Sequence, residues 1–498
     1  MKKEWKFIAF DLGAENGRCF VAILQDQKII LNEVHRFITH SLKIGNGFHW
    51  DVLAIFEEIL EGLSKAKKAL GPDFDGVAVD TWGVDYVLID PDGRIIGYPY
   101  HYRDDRTDEI MEETFKILPK ETLYSKVGIQ FAQYNTLFQL LSEKKRKLNL
   151  LNIADKILMM PDFMNFMLSG EKKAEYSIAS TTNLADPKTR NWSWELINSF
   201  GLPKNIFPEM IEPGTRLGTL QKWIADRTGL NSGVPIFAIA GHDTASAVVS
   251  IPASEENRAF LSSGTWSVMG IELEKPLLTF GAMKYNFTNE GGVNGTTRFL
   301  KNLIGLWPIQ ECRRYWKGRG NDYSYKQLAD LAKAEGCVKA WIDLTDARFL
   351  KPGEMPEKIM AYLKETNQTV KTNIGFIIGV IIESLAFSCR KTLKEIEEVT
   401  CKEINKLHTV GGGIQNEVLT QYIADAIGRT VLAGPVEGTI VGNIGVQAIA
   451  SGAVPNLQTW RNIVSNSFDL KEYHPVNAGY FIDNGKNYER ILRAGEIN

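Results

Sequence analysis

Phe7-Ile8-Ala9-Phe10-Asp11-Leu12-Gly13-Ala14-Glu15-Asn16-Gly17-Arg18-Cys19-Phe20-Val21-Ala22-Ile23-Leu24 reads as a buried strand, a glycine-bearing turn from Asp11 to Arg18, and a returning strand. A carboxylate that ends a buried apolar strand costs free energy unless it is paired, hydrogen-bonded or beside a metal, so Asp11 marks a site for one of these, Mg²⁺ among them. Backbone amides in such a turn can cradle phosphate, although an ordinary tight turn has the same composition. Further along, Ala259-Phe260-Leu261 leads into Ser262-Ser263-Gly264-Thr265-Trp266-Ser267, and Val268-Met269-Gly270-Ile271 leads out, repeating the layout. The repetition predicts a duplicated chain.

Working outward, apolar patterning predicts strands over 76–80, 235–240 and 406–410 and helices over 52–70, 243–250 and 375–399. Both halves are therefore α/β. The break Ile251-Pro252-Ala253-Ser254 sets the expected boundary near residue 250, giving domains 1–250 and 251–498.

The 498 residues are several times one hydrophobic core, and the composition (44% hydrophobic, 23% charged) is that of ordinary globular proteins. Fifty-seven Lys and Arg against 60 Asp and Glu give a net charge of −3, which offers no global positive field for nucleic acid or an anionic membrane. The apolar run 374–382 falls short of the roughly 18 to 20 residues of a spanning helix. No signal-peptide pattern follows Met1, and a cytoplasmic location is expected. Five scattered cysteines form no metal-ligand spacing and read as reduced thiols.

Three further stretches carry chemistry. In Ile239-Ala240-Gly241-His242-Asp243-Thr244-Ala245, Asp243 stands where an apolar strand becomes a small-residue helix. It either caps that helix or serves as a reactive group at a strand end, with His242 beside it. Thr409-Val410-Gly411-Gly412-Gly413-Ile414-Gln415-Asn416 runs a strand into three glycines, suited to a flat base or a phosphate resting on backbone, or to a plain turn. Asp80-Thr81-Trp82-Gly83-Val84-Asp85 sets two carboxylates and an indole about a glycine, a composition suited to sugar hydroxyls; Trp82 taken alone reads as core.

With Tyr102-Arg103-Asp104-Asp105-Arg106-Thr107, 300–307 and 433–437, these stretches together resemble the FGGY carbohydrate kinases of the actin, hexokinase and heat-shock-ATPase fold, and within them the rhamnulokinase branch. The matching stretches follow family order over nearly the whole chain. The resemblance implies an α/β protein of two ribonuclease-H-like domains flanking an interdomain cleft, with ATP and Mg²⁺ bound between them. Asp243 resembles the general base, and Gly83, His242, Thr244 and Asn302 resemble sugar contacts. Ala14, Glu15, Asn16, Gly17 and Arg18 resemble one phosphate hairpin and Thr265 the other. Gln310 and Gly412 resemble nucleotide contacts, and Asp11 would hold Mg²⁺ through water. Glu15 departs from the small residues usual in that turn, and its side chain is expected to point away from phosphate. The cysteine pair that some rhamnulokinases carry has no counterpart in 346–365, so that disulfide is not expected.

The reaction so implied is transfer of the ATP γ-phosphoryl group to the C1 hydroxyl of a 6-deoxy-L-ketohexose, L-rhamnulose first and L-fuculose as the alternative. An ATP-gated binding or assembly protein on the same fold is the alternative from another class. Partners are a small ketose and ATP, with no nucleic acid or membrane, and the sequence is silent on oligomeric state.

Overall fold

The computed structural model describes residues 4–146, 149–252 and 257–495. The chain forms two compact units, which do not follow a single cut at residue 250. The first comprises Met1–Ser254, Glu272–Leu300 and Gly438–Phe468; the second comprises Glu255–Ile271, Lys301–Glu437 and Asp469–Asn498. Two stretches of the second half thus belong to the first unit, because their apolar faces bury there. Of the expected break at 251–254, Ala253 and Ser254 lie outside the described residues.

In the first unit, Glu4–Leu12 is one of the two middle strands of a six-stranded sheet. It pairs antiparallel with Asn16–Gln25 and parallel with Gly76–Thr81, and Pro235–Ala238 continues the parallel set. Its apolar residues are contiguous rather than alternating because both faces are covered. Ile8, Phe10 and Leu12 pack in one core with Ile55, Ile59 and Leu63 of the helix Val52–Leu70. Phe7 and Ala9 pack in another with Ile440, Val441 and Ile444 of the helix Gly438–Ala450.

The turn of this hairpin is shorter than the eight residues read from sequence, since pairing runs through Asp11↔Arg18 to Leu12↔Gly17. Polar residues there stay in the ladder because Arg18 and Asp11 form an ion pair across it. Gly13 N–H closes the remaining turn on the Asn16 carbonyl, 3.0 Å away, and Thr39 ties it down from the side.

The second unit repeats the pattern. Arg258–Ser263 pairs antiparallel with Trp266–Leu273 and parallel with Lys406–Val410, which pairs parallel with Thr430–Ala433. The long helix Ile374–Thr400, capped by Asn373, buries the apolar run noted above. Each unit therefore has an antiparallel hairpin followed by parallel strands. Among the described residues no helix is long and apolar enough to cross a membrane.

Candidate functional site

Parallel pairing brings three carboxylates to one end of the first unit's sheet. Asp11 and Asp80 stand opposite each other in register at the ends of adjacent strands. The Thr81↔His242 bridge then sets Asp243 just beyond the next strand end. Asp11 Oδ2 accepts from Arg18 Nη2 at 2.5 Å. Asp80 is fully buried; Oδ2 accepts from Asn443 at 2.6 Å, while Oδ1 has no hydrogen-bond partner. Burial, then the charges of Asp11 and Asp243, push its carboxyl well above the ordinary range.

A divalent cation suits this donor set. It would relieve the mutual repulsion, and Asp80 Oδ1 is an orphaned buried acceptor. Among the described residues no three His, Cys, Asp or Glu gather closely enough to grip an ion directly.

Asp243 begins the helix Asp243–Val249 and is not its N-cap; that position falls to His242, whose side chain makes no capping bond. The Asp243 side chain is about a third exposed (35%), and its Oδ1 accepts from Thr244 N–H at 2.5 Å and Thr244 Oγ1 at 3.1 Å. Oδ2 takes no hydrogen bond among the described residues. Withdrawal from water raises its proton affinity, the positive side of His242 opposes this, and Asp11 adds to it. Thr244 thus turns both donors on Asp243.

Glu175, buried and remote in sequence, holds the loop from behind. Its carboxylate accepts from Ser177 N–H and Oγ, Ile178 N–H and Gly241 N–H, and His242 N–H in turn donates to Ser177 Oγ. Gly83 backs onto the His242 ring, since a Cβ there would stand 3.4 Å from Nε2.

The rest of the Gly83 loop corrects the sequence reading. Trp82 and Asp85 are buried and hydrogen-bonded to each other. Asp85 Oδ2 accepts from Trp50 Nε1 at 2.6 Å, Trp82 Nε1 at 3.0 Å and Tyr102 N–H at 3.1 Å, and Oδ1 accepts from Gln139 Nε2 at 3.0 Å. Four donors aimed at one group demand the carboxylate, yet burial pushes its pKa up to about 6. This anchors a strained loop, because the β-branched Val84 sits at φ 68°, held by hydrogen bonds from Thr136, Gln139 and to Thr181.

Below pH 6 a proton on Asp85 intrudes among those donors. Intrinsic tryptophan fluorescence should therefore titrate with a midpoint of about 6, as the Asp85 carboxyl does, and Asp85→Asn should abolish the transition. His101, stacked on Trp50, stays neutral throughout because burial pushes it down to about 3.

Of the other expected residues in the first unit, Ala14 is half-buried and Glu15 and Asn16 are exposed at the turn. Gly17 is buried: a Cβ there would overlap Phe37, so packing demands glycine.

In the second unit, Gln310 Nε2 donates to Thr265 Oγ1 at 3.0 Å, joining two expected nucleotide residues. Gly411 and Gly413 press on Ser263, where a Cβ at 413 would overlap Oγ, whereas the space beside Gly412 is open. The second hairpin and the glycine run therefore form one surface of the second unit. Asn302 lies in the strand Thr297–Ile304, on the part belonging to this unit. Glu175, Glu290, Arg298 and Asn443 escaped the sequence reading. Only Asn443, in Val441-Gly442-Asn443-Ile444-Gly445, carried a local signal, a polar residue among apolar and small neighbours; Glu290 in Thr288-Asn289-Glu290-Gly291 and Arg298 after Thr296-Thr297 carried none.

The N-terminal domain of the FGGY family of carbohydrate kinases matches residues 6–250, and the C-terminal domain of that family matches 259–451. The chain is 39% identical over 471 residues to a rhamnulokinase of Bacteroides thetaiotaomicron, covering 94% of this chain and 96% of that one. It is 40% identical over 471 residues to a rhamnulokinase of Oceanobacillus iheyensis, covering 94% and 98%. Among solved structures it is similar to gluconate kinase from Lactobacillus acidophilus, with a TM-score of 0.82 at 14% identity over 99% of this chain and 98% of that one. The last likeness concerns the fold alone, α/β in two ribonuclease-H-like domains.

Proposed function

The chain belongs to the FGGY family of carbohydrate kinases, and from that premise we propose that it transfers the γ-phosphoryl group of ATP to the C1 hydroxyl of L-rhamnulose. It is a carbohydrate kinase with ATP as co-substrate; the identity of the sugar follows the rhamnulokinases it is similar to.

The observation that carries the mechanism is the Asp243 carboxylate, with Oδ1 fixed by Thr244 and Oδ2 left for an incoming donor. A base with raised proton affinity, oriented by its neighbour, suits removal of a proton from a sugar hydroxyl as its oxygen attacks the γ-phosphorus and ADP leaves. In this reading Gly83, His242 and Asn302 contact the sugar. The 14–18 turn and Thr265 hold phosphates, and Gln310 and Gly412 hold the rest of the nucleotide. Mg²⁺, held through water by Asp11 with Asp80, would neutralise charge on the triphosphate. Arg18 keeps one Asp11 oxygen fixed.

A coupled ADP-release assay over L-rhamnulose, L-fuculose, L-ribulose, D-xylulose and glycerol tests this. The highest kcat/KM is expected with L-rhamnulose. L-fuculose in first place would move the assignment to that sugar, and D-xylulose or glycerol would overturn it.

A further inference from the structure

Residues 175–182 meet three loops of the first unit that are far apart in sequence. Glu175 precedes the short helix Tyr176–Ala179, and the 3₁₀ turn Ser180–Thr182 follows it. Glu175, Ser177, Ser180 and Thr181 are all buried. Glu175 Oε1 accepts from Ser177 N–H at 2.7 Å, and Oε2 accepts from Ser177 Oγ at 2.6 Å, Ile178 N–H at 3.1 Å and Gly241 N–H at 3.0 Å. The Ser177 hydroxyl, having donated its proton, accepts from His242 N–H at 3.3 Å. One turn on, Thr181 Oγ1 accepts from Val84 N–H at 3.3 Å, beside Gly83, and Ser180 Oγ accepts from Gly291 N–H at 2.8 Å. The strand pair to which Gly291 belongs brings Glu290 and Arg298 to the His242 ring, with Glu290 Oε2 3.0 Å and Arg298 Nη2 3.3 Å from Nδ1.

Capping a four-residue helix accounts for the bonds from Ser177 N–H and Ile178 N–H, and a shorter side chain such as Ser or Asp does that well. A buried carboxylate is costly unless donors surround it. What the longer glutamate adds is its reach to Gly241. Glycine is needed there, because a Cβ at 241 would crowd Pro161 Cγ at 3.0 Å and Glu175 Oε2 at 3.1 Å. The Gly241 carbonyl accepts from Thr81 N–H at 2.9 Å, so this residue is held by both its N–H and its carbonyl.

We propose that Glu175 is a positioning residue for phosphoryl transfer: acting through Gly241 and Ser177, it fixes the backbone from which Asp243 meets the sugar hydroxyl. This rests on the reading of Asp243 as the general base. Among the described residues the Asp243 carboxylate accepts only from Thr244, its chain neighbour, so its place relative to the sheet is inherited from the backbone before it. The two amides just upstream, at 241 and 242, are the ones that Glu175 and Ser177 hold. A small misplacement of a reacting group is expensive in rate.

Glu175→Gln keeps the shape but has one oxygen instead of two, and whichever way the amide turns, its NH₂ faces an N–H that has lost its acceptor. Its kcat should fall about tenfold or more, with KM for ATP unchanged within about twofold. The discriminating measurement is a double-variant cycle with Asp243→Asn. Once the base is gone its placement no longer matters, so adding Glu175→Gln to Asp243→Asn should leave the residual kcat unchanged within about twofold. A merely structural glutamate would lower both backgrounds by the same factor, and that result, or a wild-type kcat for Glu175→Gln, would overturn the proposal. If Glu175→Gln does not fold, Ser177→Ala, which removes only the acceptor of His242 N–H and one donor to Glu175, takes its place in the same cycle. Asp243→Asn with wild-type kcat would sink the general-base reading and this proposal with it, whereas a slow Asp243→Asn beside a wild-type Glu175→Gln would sink the proposal alone.

Discussion

Asp243→Asn is expected to lower kcat by roughly 10² to 10⁴, the usual contribution of a positioned general base, while KM for ATP and thermal stability stay near wild type. The amide keeps an oxygen for the two Thr244 donors but supplies no basic oxygen where Oδ2 stood. Stability should not suffer, and the sign follows from the raised proton affinity of this carboxyl. A group whose folded pKa lies above its unfolded value favours the fold below the unfolded pKa and loses that benefit as pH rises through the folded one. At neutral pH the ionised Asp243 is thus a small burden that the amide removes. For the same reason the acidic limb of the wild-type kcat/KM profile should lie above the ordinary aspartate range, and its loss in the variant's residual activity is the check. Steady-state kinetics alongside a melting curve separate a missing base from a damaged fold.

Gly442→Ala should lower the apparent melting temperature by several degrees and remove most activity, though it changes one hydrogen for a methyl. Gly442 lies in the helix Gly438–Ala450 where it crosses the helix Asp243–Val249, and a Cβ there would overlap the Ser246 backbone carbonyl at 1.7 Å. Backbone cannot rotate aside, so the helices must separate, at a cost of about 1–3 kcal/mol or more. The next residue, Asn443, holds Asp80 at 2.6 Å, and Gln447 one turn on donates to the Ile8 carbonyl at 3.0 Å. Separation therefore unhooks the carboxylate end of the sheet as well as the core. Gly485→Ala, in the helix Ala478–Gly495 with nothing near its Cα, is the control and should be neutral or slightly stabilising.

Local chemistry made part of the site legible in advance. Asp11 ends an apolar strand run and Asp243 stands where another becomes a helix, and the cost of a carboxylate at such a place is visible without coordinates. The two hairpins were legible because the turn residues lie between strands that pair with each other. Glu290, Arg298 and Glu175 were not, because what gives each its meaning is a partner between 48 and 66 residues away that no local pattern names. Asp85 and Trp82 misled for the opposite reason. Their nearness in sequence suggested a shared ligand, whereas a three-residue spacing let the indole and carboxylate satisfy each other. That Phe37 fills the space of a Gly17 side chain is visible only in the packing.

The dependence of the first unit on Gly438–Phe468 bears on how the protein is made. Phe7, Ala9 and Phe20 share their core with Ile440, Ile444 and the wholly enclosed Trp460. On the ribosome, then, the strand Glu4–Leu12 waits with one oily face uncovered until the helix Gly438–Ala450 has been made. Chaperone demand should peak in that interval, and a message truncated midway yields a polypeptide that cannot close its own first half.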